Sequence, residues 1–317
     1  MAKKTPTVDT PDPRDLGFGS GFKKGHKRLI NRDGSFNVTK SGGGLGAIHG
    51  YHIMLTTPWW QFLLYICIAY VLINLFFASI YMLVGVESLT GIPPREGFWG
   101  KYANAFYFSV QTFTTVGYGT LSPKGDIASL IASFEAMLGL MAFALATGLL
   151  YGRFSRPTAR IAYSQQALIA PYENINSFQF RVINRRQNQL IELEARVALR
   201  YFEEVRGEVH QRFFLLPLER EKIALFPLSW TIVHPIDQDS PLYGRKQRDL
   251  EKMDVEFIVM VKGYDETFAQ HVYSRFSYKA HEILWAAKFT RIYHSDEEGN
   301  LILDIDRINE TYEVRLN

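Results

Sequence analysis

Residues 102–126 read YANAFYFSVQTFTTVGYGTLSPKGD. Tyr102 to Thr114 contain no glycine, proline or charge, which predicts a short helix over 102–114. Thr115, Val116, Gly117, Tyr118 and Gly119 follow directly, and two glycines so spaced suit a backbone that needs positive φ. The flanks decide what this stretch is. Upstream, no Lys, Arg, Asp or Glu occurs between Lys40 and Glu87, and Trp59 to Gly85 form an apolar run. As a helix that run is ~40 Å long at ~1.5 Å per residue, enough to cross a bilayer core with some tilt. Downstream, Ile127 to Gly152 carry one charge, Glu135. Trp59, Trp60 and Tyr151 stand at the ends of these windows, where aromatic rings favour the interface. The predicted spans are 59–85 and 127–153; a pair of buried helices in a large soluble protein is the alternative. The segment between them is too short to cross and return, so it reads as re-entrant, tolerated at membrane depth only inside protein or beside a wet cavity.

Thr115-Val116-Gly117-Tyr118-Gly119 is the sequence of a potassium selectivity filter. A bare K⁺ needs a cage of oxygens in place of its water, and rings of backbone carbonyls supply it. Thr115 to Tyr118 are the predicted K⁺ ligands, with the Thr115 hydroxyl adding the innermost ring. Val116 and Tyr118 are read as packing behind the cage. One loop gives one side of each ring, so the chain needs three identical partners. Potassium is the permeant ion, and no organic cofactor is expected.

Beyond the filter, Glu135 is an ionisable group inside a span. A pore-lining role and a structural carboxylate hydrogen-bonded behind the filter both fit it. Gly139, Phe143, Thr147 and Tyr151 share one helix face, where Phe143 and Tyr151 would narrow a lumen and gate it by dewetting. Arg153, Arg156 and Arg160 follow at the membrane edge, within reach of anionic lipid or as plain positive-inside anchors. Ile48 to Thr57 are apolar but too short to cross, and Pro58 ends any helix there; an interfacial helix over 47–58 and a simple linker both suit them.

The chain has 317 residues, 47% hydrophobic and 21% charged, with a net charge of +3, which gives no footing for nucleic-acid binding. Its one cysteine, Cys67, excludes an internal disulfide and any multi-cysteine metal site. Nine Lys and Arg lie in residues 1–50 against three between the spans, Arg95, Lys101 and Lys124. That asymmetry places both termini in the cytoplasm of a cell inner membrane, and no apolar h-region of a cleavable signal precedes the first span. The signatures G-x-S-x-G, H-E-x-x-H and a P-loop are absent, so an enzyme is not expected.

From about Ile161 the pattern becomes period-two. In residues 191–201 Ile191, Leu193, Ala195, Val197, Leu199 and Tyr201 face one way, and Glu192, Glu194, Arg196 and Arg200 the other. Further strands are predicted at 178–183, 212–216, 255–262, 271–278, 288–293 and 301–305, with a short helix near 280–285. Many short strands imply a β-sandwich. A different, ligand-sensing α/β domain is the rival architecture. His234, Asp237 and Asp239 read as turn-capping residues before a metal site.

These residues resemble the inward-rectifier potassium channels, the bacterial KirBac branch above all. The likeness rests on the filter, on Arg156-Pro157, on TIVHPIDQDSPLYG at 231–244, on SYKAHEILW at 277–285 and on INETYEV at 308–314. It implies a membrane α plus cytoplasmic all-β chain that works as a homotetramer. The parts would be an N-terminal segment 1–46, a slide helix 47–58, a pore domain 59–153 and an immunoglobulin-like β-sandwich 154–317 that extends the conduction path. The resemblance further makes Gly139 a hinge, Tyr151 the bundle-crossing gate and Glu194 a cytoplasmic pore acid. It puts Phe143 where strong rectifiers carry an acid for Mg²⁺ or polyamine blockers, which implies weak rectification. Arg153 and Arg156 fall on phosphoinositide-contacting positions, whereas Thr158 and Ala159 replace two family lysines. Gln111 and Leu121 replace a Glu–Arg pair beside the filter, and the extracellular cysteine pair of animal members is missing.

Overall fold

The computed structural model describes residues 27–39, 50–91, 93, 95–155, 159–186, 188–205 and 207–317. Arg156 and the first residues of the expected slide helix lie outside that set. The chain divides into two units, one of residues 41–156 and one of residues 1–40 with 157–317.

In the first unit α1 is Gly50–Thr56, α2 Trp59–Val84, α3 Gly97–Phe113 and α4 Asp126–Phe154. Both α2 and α4 are long and apolar enough to cross a membrane. Helix α2 ends at Gly85, whose φ of 104° turns the chain while its N–H still bonds the Tyr81 carbonyl. Helix α3 starts five residues before the expected Tyr102. Gly100 and Lys101 had argued against helix there, but at an exposed first turn neither costs much, since the lysine stays in water. The core between these helices is Phe77, Ala78, Tyr81, Ala105, Phe108 and Ala132. Large side chains such as Leu63, Leu64, Ile68, Leu72, Leu130, Leu140 and Leu145 remain exposed, a surface that a soluble monomer does not carry. Two short strands, β1 (Leu89–Thr90) and β2 (Ser122–Pro123), pair on either side of α3 and the filter loop.

The second unit is a sandwich of two sheets. One contains β6 (Leu190–Val205), β7 (Glu208–Leu216), β8 (Lys222–Leu225), β10 (Glu256–Asp265) and β11 (Gln270–Lys279), in the order β11-β10-β6-β7 with β8 also on β6. The other contains β3 (Ile161–Tyr163), β4 (Ala167–Tyr172), β5 (Ile175–Asn184), β9 (Ser229–Ile236) and β12 (Ile283–Trp285), ordered β12-β4-β5-β3 with β9 on β5. Every pairing in the two sheets is antiparallel except β12 with β4. Between them Phe178 stacks on Phe257 at 4.0 Å, amid Leu193, Val197, Ile232, Val259 and Tyr278. The rival α/β domain is therefore excluded.

Three details depart from the sequence reading. Glu192 has φ 49° and the β6–β10 register shifts beside Gly263, so a bulge changes the phase and Leu190, not Ile191, points inward. The 280–285 helix is a single 3₁₀ turn, Ala280–Glu282, because Ile283–Trp285 instead pair with β4. The strand over 288–293 breaks into β13 (Ala287–Phe289), which pairs with β16 (Thr311–Glu313), and β14 (Tyr293–Ser295), which pairs with β15 (Leu301–Leu303).

A fourth concerns Arg200, expected on the polar face yet fully buried. Residues 27–39 cover that face. Leu29 and Ile30 pack with Ala198, Phe213 and Ile258, while Leu29 and Ile30 amides donate to Glu256 at 2.8 and 3.3 Å. Arg200 lies 3.2 Å from the same carboxylate. Glu282 takes Arg28 at 2.7 Å, Arg32 at 2.5 Å and the Lys279 amide at 2.8 Å. Burial opposes ionisation of Glu282, but these donors outweigh it and hold its carboxyl below the usual range.

Candidate functional site: the re-entrant loop

Helix α3 ends in a winding turn. The Thr114 amide donates to Val110 at 3.1 Å, Thr115 to Thr112 at 3.0 Å and Gly117 to Gln111 at 3.2 Å. Thr115, Gly117 and Gly119 have φ of 58°, 50° and 79°, whereas Val116 and Tyr118 are not left-handed. Left-handed residues alternating with others turn successive peptide planes to the same side, which is how neighbouring carbonyls come to share one direction. Thr115 carries its positive φ without being glycine, strain that surrounding structure must hold. A Cβ on Gly117 or Gly119 would meet nothing within 4 Å, so these glycines serve backbone angle and not space. Val116 and Tyr118 side chains stay exposed in the single chain.

Glu135 of α4 is fully buried. In the single chain it lines no open surface. The Tyr81 hydroxyl of α2 donates to one carboxyl oxygen at 2.7 Å and the Ser109 hydroxyl of α3 bonds the other. Ser109 is also 3.0 Å from the Asn74 side-chain oxygen, and the Asn74 amide donates to the Tyr70 carbonyl at 2.8 Å. Four polar side chains from three helices thus satisfy one another in an apolar core. Sequence reasoning found Glu135 but not Asn74, Ser109 or Tyr81; the amide of Asn74 in the middle of an apolar span was the available signal.

Along α4 the expected face separates. Gly139 is buried against α3, while Phe143 and Tyr151 are about three-quarters exposed, at 73% and 74%. At the C-terminal end of α4, Arg153 is half-buried. Its guanidinium donates to the Met54 carbonyl and, at 2.5 Å, to the Thr57 carbonyl, and sits over the Trp59 and Phe62 rings at 4.7 and 4.5 Å. These carbonyls end α1, where a cation is favoured. Arg153, read from the sequence as a lipid contact or a positive-inside anchor, makes these contacts within the protein. A Cβ on Gly152 would touch Leu55 at 3.3 Å, so α1 and α4 fit closely here.

In the second unit Arg160 is exposed. Glu194 bonds Arg196 at 2.7 Å, with Lys222 at 3.8 Å, and first the Arg196 hydrogen bond, then nearby positive charge, holds its carboxyl below the usual range. His234 spends both ring nitrogens on Pro217 O and Ser240 Oγ, at 2.6 and 2.8 Å, and Asp237 caps the Asp239 amide, which accounts for them as turn residues.

Residues 161–317 match the family model "Inward rectifier potassium channel C-terminal domain", and residues 61–156 match the model "Ion channel". The inward rectifier potassium channel Kirbac3.1 of Paramagnetospirillum magnetotacticum is 36% identical over 288 residues, covering 89% of this chain and 95% of that protein. The G protein-activated inward rectifier potassium channel 3 of Mus musculus is 29% identical over 317 residues, covering 92% of this chain and 79% of that protein. Its counterpart in Rattus norvegicus gives the same figures.

Proposed function

The chain belongs to the inward-rectifier potassium channel family, and on that premise we propose how it conducts and is gated. It is a two-span membrane channel of that type, with a pore-loop unit and a β-sandwich domain. Four copies place residues 115–119 around one axis, and Thr115 to Tyr118 exchange carbonyl and hydroxyl oxygens for the water of K⁺. Alternating positive φ at Thr115, Gly117 and Gly119 is the observation that carries this reading. Both termini lie in the cytoplasm, as the nine basic residues of the first 50 support.

The gate is the ring of four Tyr151 side chains, with Phe143 as a second apolar narrowing above it. An exposed phenylalanine holds no Mg²⁺ or polyamine, and Glu194 is already paired with Arg196 and Lys222, so rectification is weak. Anionic lipid, phosphoinositide included, acts through Arg156 and Arg160, while Arg153 ties α1 to the gate end of α4. Flux into liposomes, with and without anionic lipid, tests this. Tyr151→Ala should raise resting K⁺ flux about tenfold, as for an apolar constriction removed; unchanged flux would take the gate away from Tyr151.

A further inference from the structure

The filter loop is bounded by Phe113, the last residue of α3, and by Thr120. At each boundary another segment closes directly onto a backbone carbonyl, and in both cases the residue that allows it is glycine. A Cβ built on Gly139 of α4 would stand 1.9 Å from the Phe113 carbonyl oxygen and 2.8 Å from its carbon. One built on Gly91, just after β1, would stand 1.6 Å from the Thr120 oxygen and 2.8 Å from its carbon. Neither neighbour is a flexible side chain that could swing away. Helix α4 runs unbroken from Asp126 to Phe154 through Gly139, so the glycine marks no break in it. Gly148, about two and a half turns nearer the gate, meets nothing within 4 Å.

Both contacts sit in reinforced places. Gly139 lies one turn from Glu135 on the buried stripe Ala128, Ala132, Glu135 and Gly139 that faces α3. Gly91 follows the β1–β2 bridge, where Thr90 and Ser122 hydroxyls approach to 2.5 Å and the Lys124 amide donates to Ser88 at 2.6 Å. We propose that Gly139 and Gly91 are positioning residues for ion selection: they bracket residues 115–119, one at Phe113 and one at Thr120, and hold the strained filter backbone in register. On this account Gly139 acts on the filter rather than as the gating hinge. The proposal rests on the reading of 115–119 as the filter.

The test compares Gly139→Ala, Gly91→Ala and Gly148→Ala channels in planar bilayers, reading the K⁺/Na⁺ permeability ratio and Ba²⁺ block. So that loss of assembly does not hide the answer, each is also made in one of four tandem-linked subunits. Gly139→Ala and Gly91→Ala should each lower the ratio by about tenfold in four copies and about threefold in one, with weaker Ba²⁺ block, by loosening the cage. Gly148→Ala, which stiffens the same helix without a clash, should keep the wild-type ratio. Wild-type ratios in Gly139→Ala or Gly91→Ala, or reduced flux at an unchanged ratio in Gly139→Ala and Gly148→Ala alike, would overturn the bracket. A wild-type channel that passes Na⁺ as readily as K⁺ would instead overturn the filter reading itself.

Discussion

Glu135 illustrates how a buried polar group is chosen by its partners. Two hydroxyls converge on its carboxyl from helices α2 and α3, so the side chain joins three helices. Glu135→Ala leaves the Tyr81 hydroxyl buried without its acceptor, at about 1–3 kcal/mol, while Ser109 keeps the Asn74 oxygen at 3.0 Å. The melting temperature of the detergent-solubilised tetramer should fall clearly, and should fall less in Tyr81→Phe, which removes one bond. Equal, small shifts in both would mean the network is slack. The left-handed backbone at Gly117 and Gly119 was legible in the sequence, because glycine spacing encodes backbone angle directly. The partners of Glu135 were not, since a 3.6-residue period says which face a side chain takes but not which helix meets it.

The coupling of α1 to α4 belongs to the scale of elements. Arg153 reaches two carbonyls of the α1 end with one planar fork and lies on two aromatic rings. Lysine keeps the charge but cannot span both carbonyls or stack as a plane. Arg153→Lys should therefore behave like Arg153→Ala, shifting the anionic-lipid dependence of liposome flux by severalfold. If Lys kept wild-type behaviour, charge toward lipid would be the residue's whole role. Spans, re-entrant helix and sandwich strands were legible from charge depletion and period-two alternation. The β6 phase was not, because the Glu192 bulge inserts one residue that no local pattern marks. Nor was the start of α3, where an exposed first turn tolerates glycine and lysine.

At the scale of the whole molecule, the N-terminal segment is part of the sandwich unit, although some 120 residues of the other unit separate them in sequence. Sequence pattern saw a polar tail there; only the fold reveals that Leu29 and Ile30 cover Ala198 and that Glu256 and Glu282 receive its amides and arginines. This docking carries a pH sign. Glu282 is held below its ordinary value of 4.5, so its stabilisation is complete above that pH and drains away as pH falls through the lower, docked value. Amide exchange at residues 29–37, corrected for intrinsic rate, should stay protected from pH 7 to about 5 and lose protection below about 4.5. Glu282→Gln should be less protected throughout and lose most of that pH dependence; an unchanged profile would remove Glu282 from the docking.

The central claim is that residues 115–119 of four chains select K⁺, and the most direct test is cation flux into liposomes reconstituted with purified protein. The account predicts K⁺ uptake that Ba²⁺ blocks, with Na⁺ uptake lower by at least about a hundredfold, as a carbonyl cage requires. Equal Na⁺ and K⁺ uptake would contradict it.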